Sequence, residues 1–143
     1  MNQDARHRLE EILDREIEAA HSLAATLAAE RLALTGDSPD AVVQKAAEKV
    51  ENFRAIEKLE AERRSLCAAP QAPGMADTIA ARWRALMELM AGCRTANDVN
   101  GHIIHVRQHQ IRQLLDIVRG DTPSTYGPQG KTVSKALRAL AQA

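Results

Sequence analysis

The chain predicts an all-α fold: an elongated antiparallel coiled-coil or helical bundle of three long helices, with a flexible tail carrying a short C-terminal amphipathic helix. Three observations predict it. Composition is the first: 45% of the 143 residues are hydrophobic, yet Phe53, Trp83 and Tyr126 are the only aromatic ones. Ala and Leu must therefore fill the core, and Glu, Arg and Gln surround them, which is helix-former chemistry. Second, Pro- and Gly-containing stretches divide the chain into long segments that are otherwise unbroken. Third, apolar residues recur at steps of three and four, without the alternation of a half-buried strand. This length suits one domain with a core of its own, placed at 1–119, followed by a tail at 120–143.

The first helix is expected at about 4–34. Leu9, Leu13, Ile17, Ala20, Ala24 and Leu27 form its stripe, with Ile12 and Leu23 widening it. Gly36 suits the C′ position. Ser38 is placed to cap the next helix, with Pro39 in its first turn, where a missing N–H costs nothing. So short a connection predicts antiparallel neighbours.

The second helix, at about 39–68, offers Val43, Ala46, Val50, Phe53, Ile56, Leu59 and Leu66. The three-residue step from Phe53 to Ile56, where four is due, is a stammer that overwinds a coiled coil locally. Glu57, Lys58, Glu60, Glu62, Arg63 and Arg64 read as a solvated face. Residues 69–74, Ala-Pro-Gln-Ala-Pro-Gly, then stop the helix.

The third helix, at about 75–119, organises the rest. Ile79, Trp83, Leu86, Met90, Cys93, Asn97, Asn100, Ile104, Arg107, Ile111, Leu114 and Val118 follow alternating steps of four and three, the spacing of a coiled-coil seam. Gly92 marks a candidate bend, and Arg119, Gly120 and Pro123 form a stop signal. Asn97, Asn100 and Gly101 interrupt the apolar seam; polar seam residues set register at a cost in stability. Beyond Asn97 the apolar arc widens through Val99, Ile103, Val106 and Ile117, more than a simple hairpin partner needs. Two flanking helices or an open groove for a partner helix would account for that width, and we expect the groove.

Residues 121–131 are small, polar and turn-forming, with Tyr126 the one large apolar group. Thr132 can cap a terminal helix to about Gln142 with Val133, Ala136, Leu137 and Leu140 on one side. Eleven residues are marginal for an isolated helix, so the tail reads as a segment that orders on binding.

Nineteen basic residues balance nineteen acidic ones, which disfavours a nucleic-acid partner. No run approaches membrane-spanning length and no signal peptide precedes the first helix, so we expect a cytoplasmic protein without membrane insertion. Cys67 and Cys93 form no metal or redox motif and read as reduced packing residues. His102, His105 and His109 share one helical face with Arg112 and lack a carboxylate or cysteine to close a metal shell, Asp116 apart; we expect a solvated polar face and no metal. No histidine carries the His-x-x-Lys-Gly context of phosphotransfer domains. No nucleophile–base arrangement or phosphate-cradling loop stands out, so neither catalysis nor a cofactor is expected. Length alone leaves open whether the helices close within one chain or pair with a second copy.

The combination Asn97-x-x-Asn100-Gly101-x-Ile103-Ile104, an apolar helix to Val118, and Tyr126-Gly127-Pro128-x-Gly130-x-Thr132 resembles the FlgN family of flagellar type III export chaperones. The likeness is closest over about 86–132. It implies a cytoplasmic chaperone that binds the C-terminal segments of hook–filament junction proteins of the FlgK and FlgL type. It would prevent their premature self-association and deliver them to the export gate. The resemblance implies client binding by the C-terminal region, for which we take Val99, Ile103, Val106, Val133, Ala136, Leu137 and Leu140. It also implies docking to an FlhA-type gate protein through Tyr126 and Gly127. A generic helical adaptor or coiled-coil oligomerisation module is the alternative; it accounts for the three helices but not for the tyrosine-containing tail, and a histidine phosphotransfer domain is a weaker alternative still.

Overall fold

Local chemistry sets where each helix starts and stops. In this computed structural model, which describes residues 1–120, α1 spans Gln3–Leu34, α2 Pro39–Leu66 and α3 Asp77–Arg119, and no strand occurs among the described residues. The Asn2 side chain accepts a hydrogen bond from the Ala5 amide at 2.8 Å, satisfying one of the orphan donors of the first turn of α1. Ser38 caps α2 in the same way, accepting from Ala41, with Pro39 at the first helical position.

The helix ends differ. Gly36 does occupy C′ after the Thr35 cap, but the turn is right-handed: the Thr35 and Gly36 amides donate back to the Arg31 and Ala33 carbonyls, and no positive φ is needed. Gly120 is the contrasting case, with φ 77° and its amide donating to the Ile117 carbonyl. That left-handed residue is what a glycine stop provides. The α2–α3 connection is tied by turns from Ala72 to Ala69 and from Met75 to Ala72, with Gly74 at φ 85°. α3 runs unbroken through Gly92.

Polar cross-links reveal the directions of the helices. Arg15 meets Glu62, Glu16 meets Arg63, Thr26 meets Asn52 and Glu30 meets Lys49, so α2 descends alongside the rising α1. α3 rises in the direction of α1, because Glu10 pairs with Thr78 and Asp14 with Arg82. These contacts lie in a compact unit, Met1–Asn97; a second unit begins at Asp98, so the division falls inside α3.

The core of the first unit is mainly a contact of α1 with α3. Leu9, Leu13, Ala20, Ile79 and Leu86 form one buried cluster, with Trp83, Leu89, Met90 and Cys67 against it. Leu23, Leu27 and Cys93 form another, joined by Phe53 and Ile56 of α2. The expected α1 stripe is buried or half-buried throughout. α2 departs from expectation: Leu59 is its one buried apolar residue, while Val43 and Val50 are exposed, Val43 by 68%. The reason is visible in the cross-links, since α2 meets α1 through paired polar side chains, and Val43 and Val50 point away.

Candidate functional site

The seam of α3 changes character along its length. Ile79, Leu86, Cys93 and Asn100 are buried at seven-residue intervals, and Trp83, Met90, Asn97 and Ile104 between them are half-buried. The next residues in that register are not covered. Ile111 is 54%, Leu114 61% and Val118 82% exposed, and their neighbours Leu115 and Ile117 are exposed too. At about 100° per residue, Ile111, Leu114, Leu115 and Val118 fall within roughly one quarter to one third of the helix circumference. Polar Gln110, Arg112, Gln113 and Asp116 intervene in sequence and mostly occupy the remaining arc. Four clustered apolar side chains in water, with Ile117 to one side, are an interaction surface rather than scattered exposure.

The residues singled out from the sequence divide into three groups. Val99 is exposed, while Ile103 and Val106, on the same flank, are half-buried. Of the polar interruptions, Asn97 is half-buried and Asn100 fully buried; Gly101 is exposed, and a Cβ there would meet open space. Tyr126, Gly127, Val133, Ala136, Leu137, Leu140 and the terminal helix lie outside the described residues. Sequence reasoning placed Ile111, Leu114 and Val118 in a seam and so expected them covered.

A second constellation contradicts the expected solvated face on α2 at one position, Arg63. Arg63 is buried, and its Nε donates to both carboxylate oxygens of buried Glu16 at 3.2 and 3.0 Å. Its guanidinium also lies 4.6 Å from the centroid of the Trp83 ring. One charged group thereby joins all three helices, and the cation–π geometry is favourable. Burial pushes the Glu16 carboxyl above its ordinary value, and the attraction of Arg63 only partly draws it back. The register announces this site: Arg63 is four residues after Leu59 and three before Leu66, while Glu16 is three after Leu13 and four before Ala20. Both are seam positions occupied by charge.

Open hollows flank the first unit. One of about 570 Å³ is lined by Trp83, Met87, Met90, Arg64 and Arg94; another of about 550 Å³ lies over Ile17, Ala24, Leu89, Gly92 and Ala96. His21, Glu88 and Cys93 also line the second, where the Cys93 thiol is directed to the Ala20 carbonyl. The two cysteines are free; Cys67 is half-buried, and buried Cys93 donates weakly to the Ala20 carbonyl at 3.6 Å, its thiol pushed up by burial. Among the described residues, no group of three or more His, Cys, Asp or Glu could hold a metal. No helix among them is long and apolar enough to cross a membrane.

Comparison with known proteins adds one finding. A family model described as FlgN protein matches residues 1–134. Neither the curated proteins nor the solved structures compared with the chain gave a match. The family match takes in all three helices, the exposed distal face of α3 and the Tyr126 motif: the chain belongs to the FlgN family of flagellar export chaperones.

Proposed function

We propose that this chain is a cytoplasmic chaperone for hook–filament junction proteins of the FlgK and FlgL type. It holds their C-terminal segments, which would otherwise self-associate, and hands them to an FlhA-type export gate. The observation that carries this reading is the uncovered apolar run Ile111, Leu114, Leu115, Ile117 and Val118 in a chain of this family. An amphipathic client helix needs a temporary apolar partner, and a helix presenting such a run supplies one. Masking and handover need no nucleotide. Supercoiled packing of the three helices and a terminal helix after Thr132 belong to the same proposal, as does gate docking through Tyr126 and Gly127.

Magnitudes favour a two-part grip. Full burial of a Val, Leu or Ile side chain contributes about 1.5–3 kcal/mol, so five that start a little more than half exposed offer roughly 4–9 kcal/mol. Association costs about 4–15 kcal/mol in lost freedom before any surplus appears. The distal face alone therefore holds a client weakly, and Val133, Ala136, Leu137 and Leu140 of the tail are the natural complement, with Val99, Ile103 and Val106 at its flank.

The test is co-purification of the full chain with the C-terminal segment of a FlgK-type protein. Leu114→Asp/Val118→Asp and Leu137→Asp/Leu140→Asp should each abolish capture while far-UV helicity persists. Undiminished capture by the first pair removes the distal face from the mechanism; undiminished capture by the second removes the tail.

A further inference from the structure

We propose that His105 and His109 form a two-point chelate on α3 for a late first-row divalent cation: Cu²⁺, Ni²⁺ or Zn²⁺. The spacing i, i+4 puts both side chains on one face, a turn apart. What sequence spacing does not reveal is their convergence: the two Nε2 atoms are 3.1 Å apart. Imidazole nitrogens bind such ions at about 2.0–2.1 Å, so two of them at that separation subtend about 100° at a shared ion. That lies between the roughly 90° of an octahedral pair and the roughly 109° of a tetrahedral one, so either geometry is reached with little movement.

The ring arrangement agrees. The centroids are 4.4 Å apart and the planes are inclined by 77°. Rings pointing nitrogen to nitrogen along one line would place their centroids farther apart, because each ring adds its own radius to 3.1 Å. The two nitrogens are thus inclined to the line between them, as two ligands of one ion must be. His105 is exposed and His109 half-buried, so an ion has access. With no group of three candidate ligands among the described residues, the pair supplies two positions and solvent the others. His102, one turn earlier, and Arg112, one turn later, share the face; two imidazole donors without a carboxylate favour late, nitrogen-seeking ions over hard cations. Bridging two turns, a bound ion would clasp α3 between buried Asn100 and the exposed apolar run.

The experiment is calorimetric titration of the full chain, free of any polyhistidine tag, with Cu²⁺, Ni²⁺, Zn²⁺ and Mg²⁺ separately, with the histidine ring resonances followed by NMR. One equivalent should bind, Cu²⁺ tightest, with Mg²⁺ silent. His105→Ala and His109→Ala should each weaken binding by at least the roughly 10–100-fold that even an outer-shell loss costs at a metal site. His7→Ala and His102→Ala should leave affinity unchanged. His105→Gln, which keeps side-chain bulk, guards against a folding artefact, as does far-UV circular dichroism of every variant. Equal affinity in the His105→Ala/His109→Ala double variant, an equal loss in His102→Ala, or no uptake of any ion would overturn the site and leave a hydrogen-bonded imidazole pair. Client capture is not the readout, so this result and that of the chaperone test are separable.

Discussion

Replacing Arg63 by methionine probes the buried charge that joins the three helices. The side chain retains a flexible apolar stem to pack on Trp83, but Glu16 loses the donor that meets both of its oxygens. Removing one partner of a buried pair typically costs about 3–5 kcal/mol, because the other charge stays desolvated without compensation. At roughly 2–4 °C per kcal/mol for a chain near this size, Arg63→Met should melt about 6–20 °C lower. Glu16→Leu/Arg63→Met removes both charges at once and should recover most of the loss, or exceed wild-type stability by about 1–4 kcal/mol.

The pH dependence separates charge from packing. Burial is the main cause raising the Glu16 carboxyl, and Arg63 is the main cause opposing it. An acid whose folded pKa lies above its unfolded one takes up a proton on folding. Its contribution is complete below the unfolded pKa and is lost as pH rises through the folded one. Without Arg63 the carboxyl rises further, so the deficit of Arg63→Met should be small in mild acid and grow as pH rises above the usual carboxylate range. Urea melts of both variants across that range are the assay. A deficit below about 1 kcal/mol and flat with pH would mean the pair is solvated in solution, contrary to its burial. A double variant no better than the single would assign the cost to lost contact with Trp83 instead.

Other expectations concern separate parts of the chain. Ser38→Ala leaves the Ala41 amide without its cap and should cost about 1 kcal/mol by chemical denaturation; no change would show the cap solvated. Cys93, buried and with its thiol raised, should alkylate far more slowly than half-buried Cys67 in the native protein, as read by peptide mass spectrometry; equal rates would mean the core opens freely. Tyr126→Ala should leave client affinity within a few-fold while weakening binding to an FlhA-type partner. A melting temperature lowered by several degrees would instead make that tyrosine structural.

How legible this molecule is depends on what kind of signal carries each feature. Helix ends are chemical punctuation, and Ser38-Pro39 and Gly120 act at the positions their chemistry selects. The α1 stripe is legible because a long helix with one apolar face has one way to be buried. The charged seam positions are less legible: Arg63 reads as part of a solvated face, and Glu16 and Glu30 lie outside a stripe defined by apolar residues alone. Their register was in plain view: 9, 13, 16, 20, 23, 27, 30 and 34 step by four and three throughout, and every one of them is buried. The exposure of Val43 and Val50 was not legible, because periodicity shows that a helix has an apolar side but not how much of it a partner covers. The 3.1 Å approach of His105 to His109 depends on rotamers, on which spacing is silent.

The charged seam positions set the register of the first unit. Glu16 meets Arg63 and Glu30 meets Lys49, so the α1–α2 hairpin is pinned at two places. A slip of one heptad would set Glu16 against the region of Ile56 and Glu30 against that of Val42, leaving buried carboxylates without partners at a cost of several kcal/mol. The hairpin therefore has one register. Trp83 beneath Arg63 and Arg82 on Asp14 then fix α3 against α1 at an offset of 68 residues. Within α3 the apolar register continues past Asn100 through Ile111, Leu114 and Val118, all of them exposed. On the chaperone reading proposed above, that uncovered stretch of seam serves a helix from another chain, while the charged pairs hold the hairpin that carries α3 in a single register.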